Sequence, residues 1–308
     1  MPKLSVILPV YNERPKFMEN AIQSILNQTY RDFEFLIIDD ASESYVGEII
    51  NSYKDERIVY VRLEQNSKIC AALNQGIEQS LGEYIAIMHS DDFSIRSRLE
   101  KQISVLESNV NIGLVNSYSL IKSGNKSQLN RPFLDQNFEK LYLKYVGNNI
   151  IHPNVMIRKS VLQENGISYN EQFVYAEDYR MWIDIMPFCD FCTIPEVLTI
   201  YNLNVNPNRQ NKEYMEKCRK VILLENYMNL LNSYSDKFNS LIAMVWTKGK
   251  IKYLDYMNMK KDIIPQILDK VKSDLSAKQF LEFKNYLSNT IEDFNRFKKD
   301  NDDIRTFL

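Results

Sequence analysis

Glycine is scarce in this chain, at eight of 308 residues, and the few present do not build a phosphate cradle. Neither Gly-x-Gly-x-x-Gly nor Gly-x-x-x-x-Gly-Lys-[Ser/Thr] occurs, which excludes the dinucleotide fingerprint and the P-loop. Four cysteines without a repeating spacing exclude a disulfide framework and suit a reducing cytoplasm. Cys189 and Cys192 form a single C-x-x-C. A zinc ribbon needs a second such pair and a redox pair should open a helix, whereas these two sit in a strand-like stretch, so buried packing is expected. No apolar run approaches the ~18 residues of a membrane span, and Met1-Pro2-Lys3 leads into a short run that stops at Tyr11-Asn12-Glu13, unlike a signal peptide. The reading is a cytoplasmic protein, with at most peripheral contact at the inner face of a membrane. A formal net charge of -2 offers no broad basic field for nucleic acid.

What the chain has is ordered alternation. Leu4–Val10 is a short β-branched apolar run, a buried strand by length. Pro15 then opens a helical pattern through Phe17, Ala21, Ile22, Ile25 and Leu26, proline being tolerated in a first turn. Strands follow at Phe33–Ile38, Ile58–Leu63 and Tyr84–Met88, with helical stretches at Val46–Tyr53, after the cap Asn66-Ser67, and at Ile95–Glu107. Such spacing requires crossover connections and a largely parallel sheet covered on both faces. From Gly113 to about Asn204 the pattern is mixed, with strands at Leu114–Leu120 and Val155–Ile157 and helices near Phe138–Tyr145 and from Glu177. After Asn211 only helical periodicity remains, including Phe238, Leu241, Ile242 and Val245, and Ser276 with Gln279 offers a capping box. The expected organisation is a domain over 1–210, split near residue 110, followed by a helical region over 211–308. That region holds 18 basic against 14 acidic side chains, which fits a solvated helical exterior.

Ligands of open parallel sheets bind beyond the carboxyl ends of the strands. Asp39-Asp40 closes the second strand and Asp91-Asp92 follows the fourth, so both pairs fall on one rim. One Asp-Asp after a strand is an ordinary turn or cap; two on one rim are harder to explain that way. Carboxylates repel a diphosphate unless a divalent cation bridges them, and such hard cations prefer oxygen ligands.

The ordered set Ser5-Val-Ile-Leu-Pro-Val-Tyr-Asn-Glu13, Ile37-Ile-Asp-Asp-Ala-Ser42, Asn66-Ser-Lys-Ile-Cys-Ala-Ala-Leu-Asn-Gln-Gly76 and Gly82-Glu-Tyr-Ile-Ala-Ile-Met-His-Ser-Asp-Asp92 resembles glycosyltransferase family 2. The likeness continues through Arg98–Gln102, His152–Arg158, Tyr175-Ala-Glu-Asp-Tyr-Arg-Met-Trp182 and Pro195–Tyr201, and spans roughly the first two-thirds of the chain. It implies an α/β GT-A fold, a Rossmann-like, mostly parallel sheet flanked by helices, here with a C-terminal all-helical extension. It implies an inverting transfer from a UDP-sugar to a hydroxyl of a glycan, lipid-linked or protein-linked acceptor, with Mn2+ or Mg2+ as cofactor. By the same resemblance Pro9, Val10, Tyr11 and Glu13 form the nucleotide pocket, Asp39 or Asp40 accepts from uracil N3–H, and Asn74 and Gly76 approach the ribose and phosphates. Asp91 is the metal ligand, with His89 and Ser90 beside it facing the donor. Asp178 is the general base and Glu177 its orienting neighbour.

Departures from the family's pattern are informative. His89 stands where an aspartate is usual; imidazole can bind Mn2+ or hydrogen-bond the donor. Lys68 occupies a position where glycine is common, and Leu73 one where arginine is. After Tyr201 the usual arginine is replaced by Asn202-Leu203-Asn204, leaving Arg209 as the first cation. Trp182 reads as core or an acceptor-stacking ring, and His152-Pro153 as a border of the acceptor side. Two rivals come from other classes. A sugar-nucleotide pyrophosphorylase would carry Gly-x-Gly-[Ser/Thr]-Arg after its first strand, which is absent. An impaired family member acting as an assembly partner is opposed by retained Asp91 and Asp178. The tail is expected to support self-association, with Lys248, Lys250 and Lys252 giving only weak attraction to a membrane.

Overall fold

The computed structural model describes residues 1–203, 212–231 and 264–296. Its contacts divide the chain into one unit of residues 1–136 with 149–210 and another of 137–148 with 211–308. Arg209 and the residues 232–263, with Phe238, Val245 and the three lysines, lie outside the described residues.

In the first unit, β1 (Leu4–Val10), β2 (Phe33–Asp39), β3 (Ile58–Arg62) and β4 (Tyr84–Ile87) form a parallel half-sheet in the order β3-β2-β1-β4. The apolar runs dictate this burial. Leu4, Val6, Leu8 and Val10 join Phe33, Phe35 and Ile37 in one core. The same core takes in Met18, Ile22 and Ile25 of α1 (Pro15–Leu26), Val46 and Ile50 of α2 (Ser44–Ser52), and Leu99, Ile103 and Leu106 of α4 (Arg98–Ser108). Each such side chain contributes about 1.5–3 kcal/mol by leaving water. Ile7 faces the opposite layer, formed by α3 (Lys68–Gln79). A Cβ on Gly76 would stand 2.5 Å from Ile7 Cγ2, so this glycine serves close helix–sheet approach. Pro9 costs the central strand nothing, because the β1–β4 pairing ends at Ile7 and Ile87.

Beyond β4 the sheet is mixed. The order continues through β8 (Met156–Arg158), β6 (Ile112–Ser123), β9 (Asp190–Asn202) and β5 (Phe93–Ser94), with β7 (Lys126–Asn130) as a hairpin partner of β6. β8 runs antiparallel to both β4 and β6, whereas the long β6–β9 pair is parallel. The expected parallel character is unbroken in the first half and returns in the β6–β9 pair. Neither Cys189, just before β9, nor Cys192, within it, is in a disulfide; the strand-like context is found, but both are half-buried where the sequence predicts buried packing.

The second unit contains α5 (Gln136–Tyr145, from Asn137 onward), α8 (Lys212–Leu231), a helical stretch over 264–271 and a last helix Ala277–Arg296. The sequence reading placed α5 with the acceptor half of the first domain; its apolar face instead packs among the C-terminal helices. Tyr145 stacks on Tyr227 at 6.2 Å, Phe138 meets Phe283 edge-on at 6.2 Å, and Tyr227 donates to the Tyr145 carbonyl at 2.7 Å. The capping box forms: Ser276 N–H donates to Gln279 Oε1 at 3.1 Å and Gln279 N–H to Ser276 Oγ at 3.4 Å. Among the described residues no helix is long and apolar enough to cross a membrane.

Among the described residues, four that are not glycine adopt positive φ: Asn12 (47°), Ala41 (58°), Lys68 (71°) and Tyr175 (75°). All four sit in loops that follow strands or open helices around the sheet's carboxyl edge, and strain of this kind gathers at ligand sites. Lys68 explains why glycine suits its position, since a Cβ is penalised there by about 1–2 kcal/mol. After allowing for the greater chain entropy of glycine, Lys68→Gly should stabilise the fold by about 0.5–1 kcal/mol. Urea unfolding showing a loss of stability would overturn this account of the loop.

Candidate active site

Strand order reverses direction between β1 and β4, and the crevice at their carboxyl ends is the ligand position of open α/β sheets. Two loops flank it. From β1, Tyr11 is exposed at 39%, while Glu13 is buried. From β4 come His89, Ser90, Asp91 and Asp92, all nearly buried. Ser90 Oγ donates to Glu13 Oε2 at 3.4 Å, joining the loops. Val10 is buried and its carbonyl accepts from Asp40 N–H at 2.9 Å, so its part in the pocket is that of backbone.

Among the described residues one group could hold a metal: His89, Asp91 and Asp92, whose ligand atoms lie within 4.8 Å of one another. A set of one imidazole nitrogen and carboxylate oxygens suits Mn2+ well, and its carboxylates suit Mg2+. The residues present therefore fit a divalent cation.

The loop carrying these groups is held from two sides that the sequence did not reveal. Asn202, in the place of the missing arginine, donates its backbone N–H to Asp92 Oδ1 at 2.7 Å and its Nδ2 to the Asp91 carbonyl at 2.6 Å. From behind, Arg98 is fully buried and bonds the Ile87 carbonyl at 2.8 Å, the Val155 carbonyl at 3.1 Å and Gln102 Oε1 at 3.0 Å. It thus reinforces the backbone bond from Ile87 N–H to the Val155 carbonyl, 3.2 Å, where the β4–β8 pairing ends. Burial lowers its pKa to about 9, against the pull of Asp92. Arg98→Leu leaves the Ile87 carbonyl and Gln102 Oε1 without this donor, while the Val155 carbonyl still accepts from Ile87 N–H at 3.2 Å. At about 1–3 kcal/mol for each such group, partly offset by removing a buried charge, a net loss of about 3 kcal/mol is expected. Denaturant unfolding that shifts by less than 1 kcal/mol would make the guanidinium dispensable.

Asp39 and Asp40 occupy the rim but serve the frame. Asp39 is fully buried; it accepts from Ser42 N–H at 2.8 Å, Tyr60 Oη at 2.6 Å and Arg62 Nη1 at 2.7 Å. Asp40 accepts from the amides of Ser67 at 2.6 Å and Lys68 at 2.9 Å. The start of α3 is therefore capped by Asp40, not by the Asn66-Ser67 side chains. Asn74 is likewise committed: it donates to the Tyr169 carbonyl at 2.9 Å and accepts from the Tyr169 amide at 2.8 Å. Both ends of its amide hold a backbone. Leu73 is core.

Glu177 and Asp178 open α7 (Glu177–Ile185) directly after the strained Tyr175. Glu177 is buried and Asp178 half-buried, and Asp178 Oδ1 accepts from Tyr179 N–H at 2.7 Å. The helix dipole favours negative charge there. Burial first, then the charges of Asp178 and Glu177, hold the Tyr169 phenol well above its usual range, so both carboxylates neighbour Tyr169. The Cys70 thiol is raised by burial and by Glu177. Trp182, one turn on, is core, with its ring edge-on to His152 at 5.8 Å. His152 itself is buried between His89 and Tyr169.

The comparisons agree with this geometry. The model of glycosyl transferase family 2 matches residues 5–166. A glycosyltransferase of Methanocaldococcus jannaschii is 33% identical over 234 residues, covering 73% of this chain and 78% of the relative. A Bacillus subtilis glycosyltransferase named for teichuronic acid biosynthesis is 38% identical over 107 residues, covering 34% of this chain and 42% of the relative. In fold, the chain resembles S. aureus TarS 1-349 in complex with UDP-GlcNAc, with a TM-score of 0.63 at 16% identity, covering 95% and 89% of the two chains. It also resembles a Pyrobaculum calidifontis mannosyltransferase in complex with GDP-Man and Mn2+, with a TM-score of 0.56 at 16% identity, covering 97% and 88%. A parallel half-sheet with its acids at the switch point, matched over more than half its length by one family model, has a single reading: the chain belongs to glycosyltransferase family 2.

Proposed function

We propose that the protein is an inverting glycosyltransferase that moves a hexosyl or N-acetylhexosaminyl group from a UDP-sugar to a hydroxyl of a glycan acceptor, in surface polysaccharide or glycoconjugate synthesis. The observation that carries this reading is the His89, Asp91 and Asp92 cluster at the β1/β4 crevice of a family 2 chain. The nucleotide-sugar complexes of the fold neighbours and the name of the Bacillus relative support the substrate classes.

Residues up to about 110 take the donor, and those from 111 to 210, with α7, take the acceptor. Tyr11 offers the exposed ring for the base, beside Pro9, Val10 and Glu13. Of the rim pair, Asp40 is assigned the uracil N3–H, since a carboxylate has about four acceptor sites and Asp40 uses fewer of them than Asp39 does. Asp91, with His89 and Asp92, would hold Mn2+ or Mg2+. That ion supplies Lewis acidity, neutralising charge on the departing diphosphate. Asp178 takes the acceptor's hydroxyl proton as its oxygen bonds the anomeric carbon. The bond from that carbon to the phosphate oxygen breaks with its electron pair leaving on UDP, so one displacement inverts the centre. Glu177 orients the base.

The test is a panel of UDP- and GDP-sugars incubated with Mn2+, with and without excess chelator. The expected result is transfer or slow hydrolysis of a UDP-sugar that the chelator abolishes. Turnover of no nucleotide-sugar, with UDP still bound, would favour the assembly-partner reading.

A further inference from the structure

The chain has only two histidines, and the fold sets them side by side although 63 residues separate them. His89 Nε2 lies 3.2 Å from His152 Nδ1, and His152 Nε2 lies 2.8 Å from Tyr169 Oη. The rings of His89 and His152 meet edge to face at 4.9 Å. The far nitrogen of His89, Nδ1, is 3.6 Å from Asp92 Oδ2. That separation is too long for a hydrogen bond, but it places Nδ1 among the carboxylates. A line of groups thus runs from the acid cluster into the interior and ends on Tyr169, whose backbone Asn74 clamps at both its amide and its carbonyl.

We propose that His89 binds the divalent cation through Nδ1, and that His152 and Tyr169 are positioning residues that hold His89 in the Nε2–H tautomer leaving Nδ1 as a lone pair. The chain of contacts has two self-consistent proton arrangements. In the first, Tyr169 donates to His152 Nε2, His152 Nδ1–H donates to His89 Nε2, and His89 points Nδ1–H at Asp92. In the second, His89 Nε2–H donates to His152 Nδ1, and His152 Nε2–H donates to the Tyr169 oxygen. The phenol keeps its own hydrogen. Passing from first to second, one proton leaves at His89 Nδ1 and one enters at Tyr169. Each ring carries one proton in both arrangements, so the exchange is balanced. A cation excludes the first arrangement and selects the second. Histidine ligands commonly have their other nitrogen fixed in this manner by an outer partner; here the partner is a second histidine.

This inference rests on the cation reading above, and the experiment separates the two. Ring-15N-labelled histidine gives four nitrogen signals in the wild-type protein. Spectra are recorded with chelator and then with Zn2+ as a diamagnetic stand-in, while Mn2+ affinity is measured by electron paramagnetic resonance of the free ion. We expect His89 Nδ1 to lose its proton signature on loading and His89 Nε2 to gain one. A loaded protein in which His89 Nδ1 stays protonated overturns the inference but leaves the cation reading standing; no Mn2+ binding at all overturns both. In variants, His152→Phe should weaken Mn2+ binding by about 10–100-fold, and Tyr169→Phe should weaken it less, because His152 remains. Unchanged Mn2+ affinity in folded His152→Phe also overturns it.

Discussion

Asp178→Asn should lower turnover by about 10²–10⁴-fold, the usual worth of a positioned base, while UDP affinity and melting temperature are expected to stay close to wild type. The substitution keeps the size of the side chain and an oxygen for the Tyr179 amide, which Asp178 Oδ1 accepts at 2.7 Å. It removes only the charge and basicity. A purely structural role is worth far less: an acid in a first helical turn contributes about 0.3–1 kcal/mol, which melting would register and turnover at low temperature would not. Glu177→Gln is the companion variant and should raise the KM for the acceptor more than it lowers kcat. An Asp178→Asn enzyme retaining more than a tenth of wild-type turnover moves the base elsewhere, with Glu177 first in line.

The second large effect falls on binding. Asp91→Asn should weaken UDP binding measured in Mn2+ by about 10²-fold or more, beyond the 10–100-fold seen when only outer partners of a metal are lost. Excess chelator should give wild-type protein the same weak affinity. The variant is clean because Asn202 Nδ2 bonds the Asp91 carbonyl, a backbone group that the substitution leaves in place. Calorimetry returning the wild-type UDP affinity, for the variant or in chelator, would falsify the metal bridge.

Local pattern made the frame readable. Short apolar runs in β1, β2 and β4 left few choices but buried parallel strands, and the rim acids follow from where those runs stop. The Ser276–Gln279 capping box was legible because its partners are three residues apart. What stayed hidden depends on contacts across long sequence separations. Nothing local says that Asn202 clamps Asp91 and Asp92 from 110 residues away, or that Asn74 holds Tyr169 across 95. The two-residue strand β5 is too short for any periodicity to register. Asp39 and Asp40 are placed on the rim by the strand pattern, but their partners, Arg62, Tyr60 and the start of α3, are not legible in it. Position on the rim is written in the strand pattern, and commitment to a partner is not.

The division of the chain has a consequence in time. α5 is translated long before the helices that cover it. Its Tyr145 carbonyl waits for Tyr227, 82 residues later, and the Val146 carbonyl for Thr290, 144 residues later. At roughly 5–20 residues per second, those delays are about 4–16 s and 7–29 s. During them Phe138, Leu143 and Tyr145, buried in the finished protein, have no cover on a nascent chain. A ribosome-stalled product ending near residue 211 should therefore bind a hydrophobic dye and recruit a holdase, and the full-length product should shed both. The same timing makes removal of residues 211–308 an unmasking as well as a deletion, so a truncation meant to isolate the unit of residues 1–136 with 149–210 must also redesign the segment 137–148.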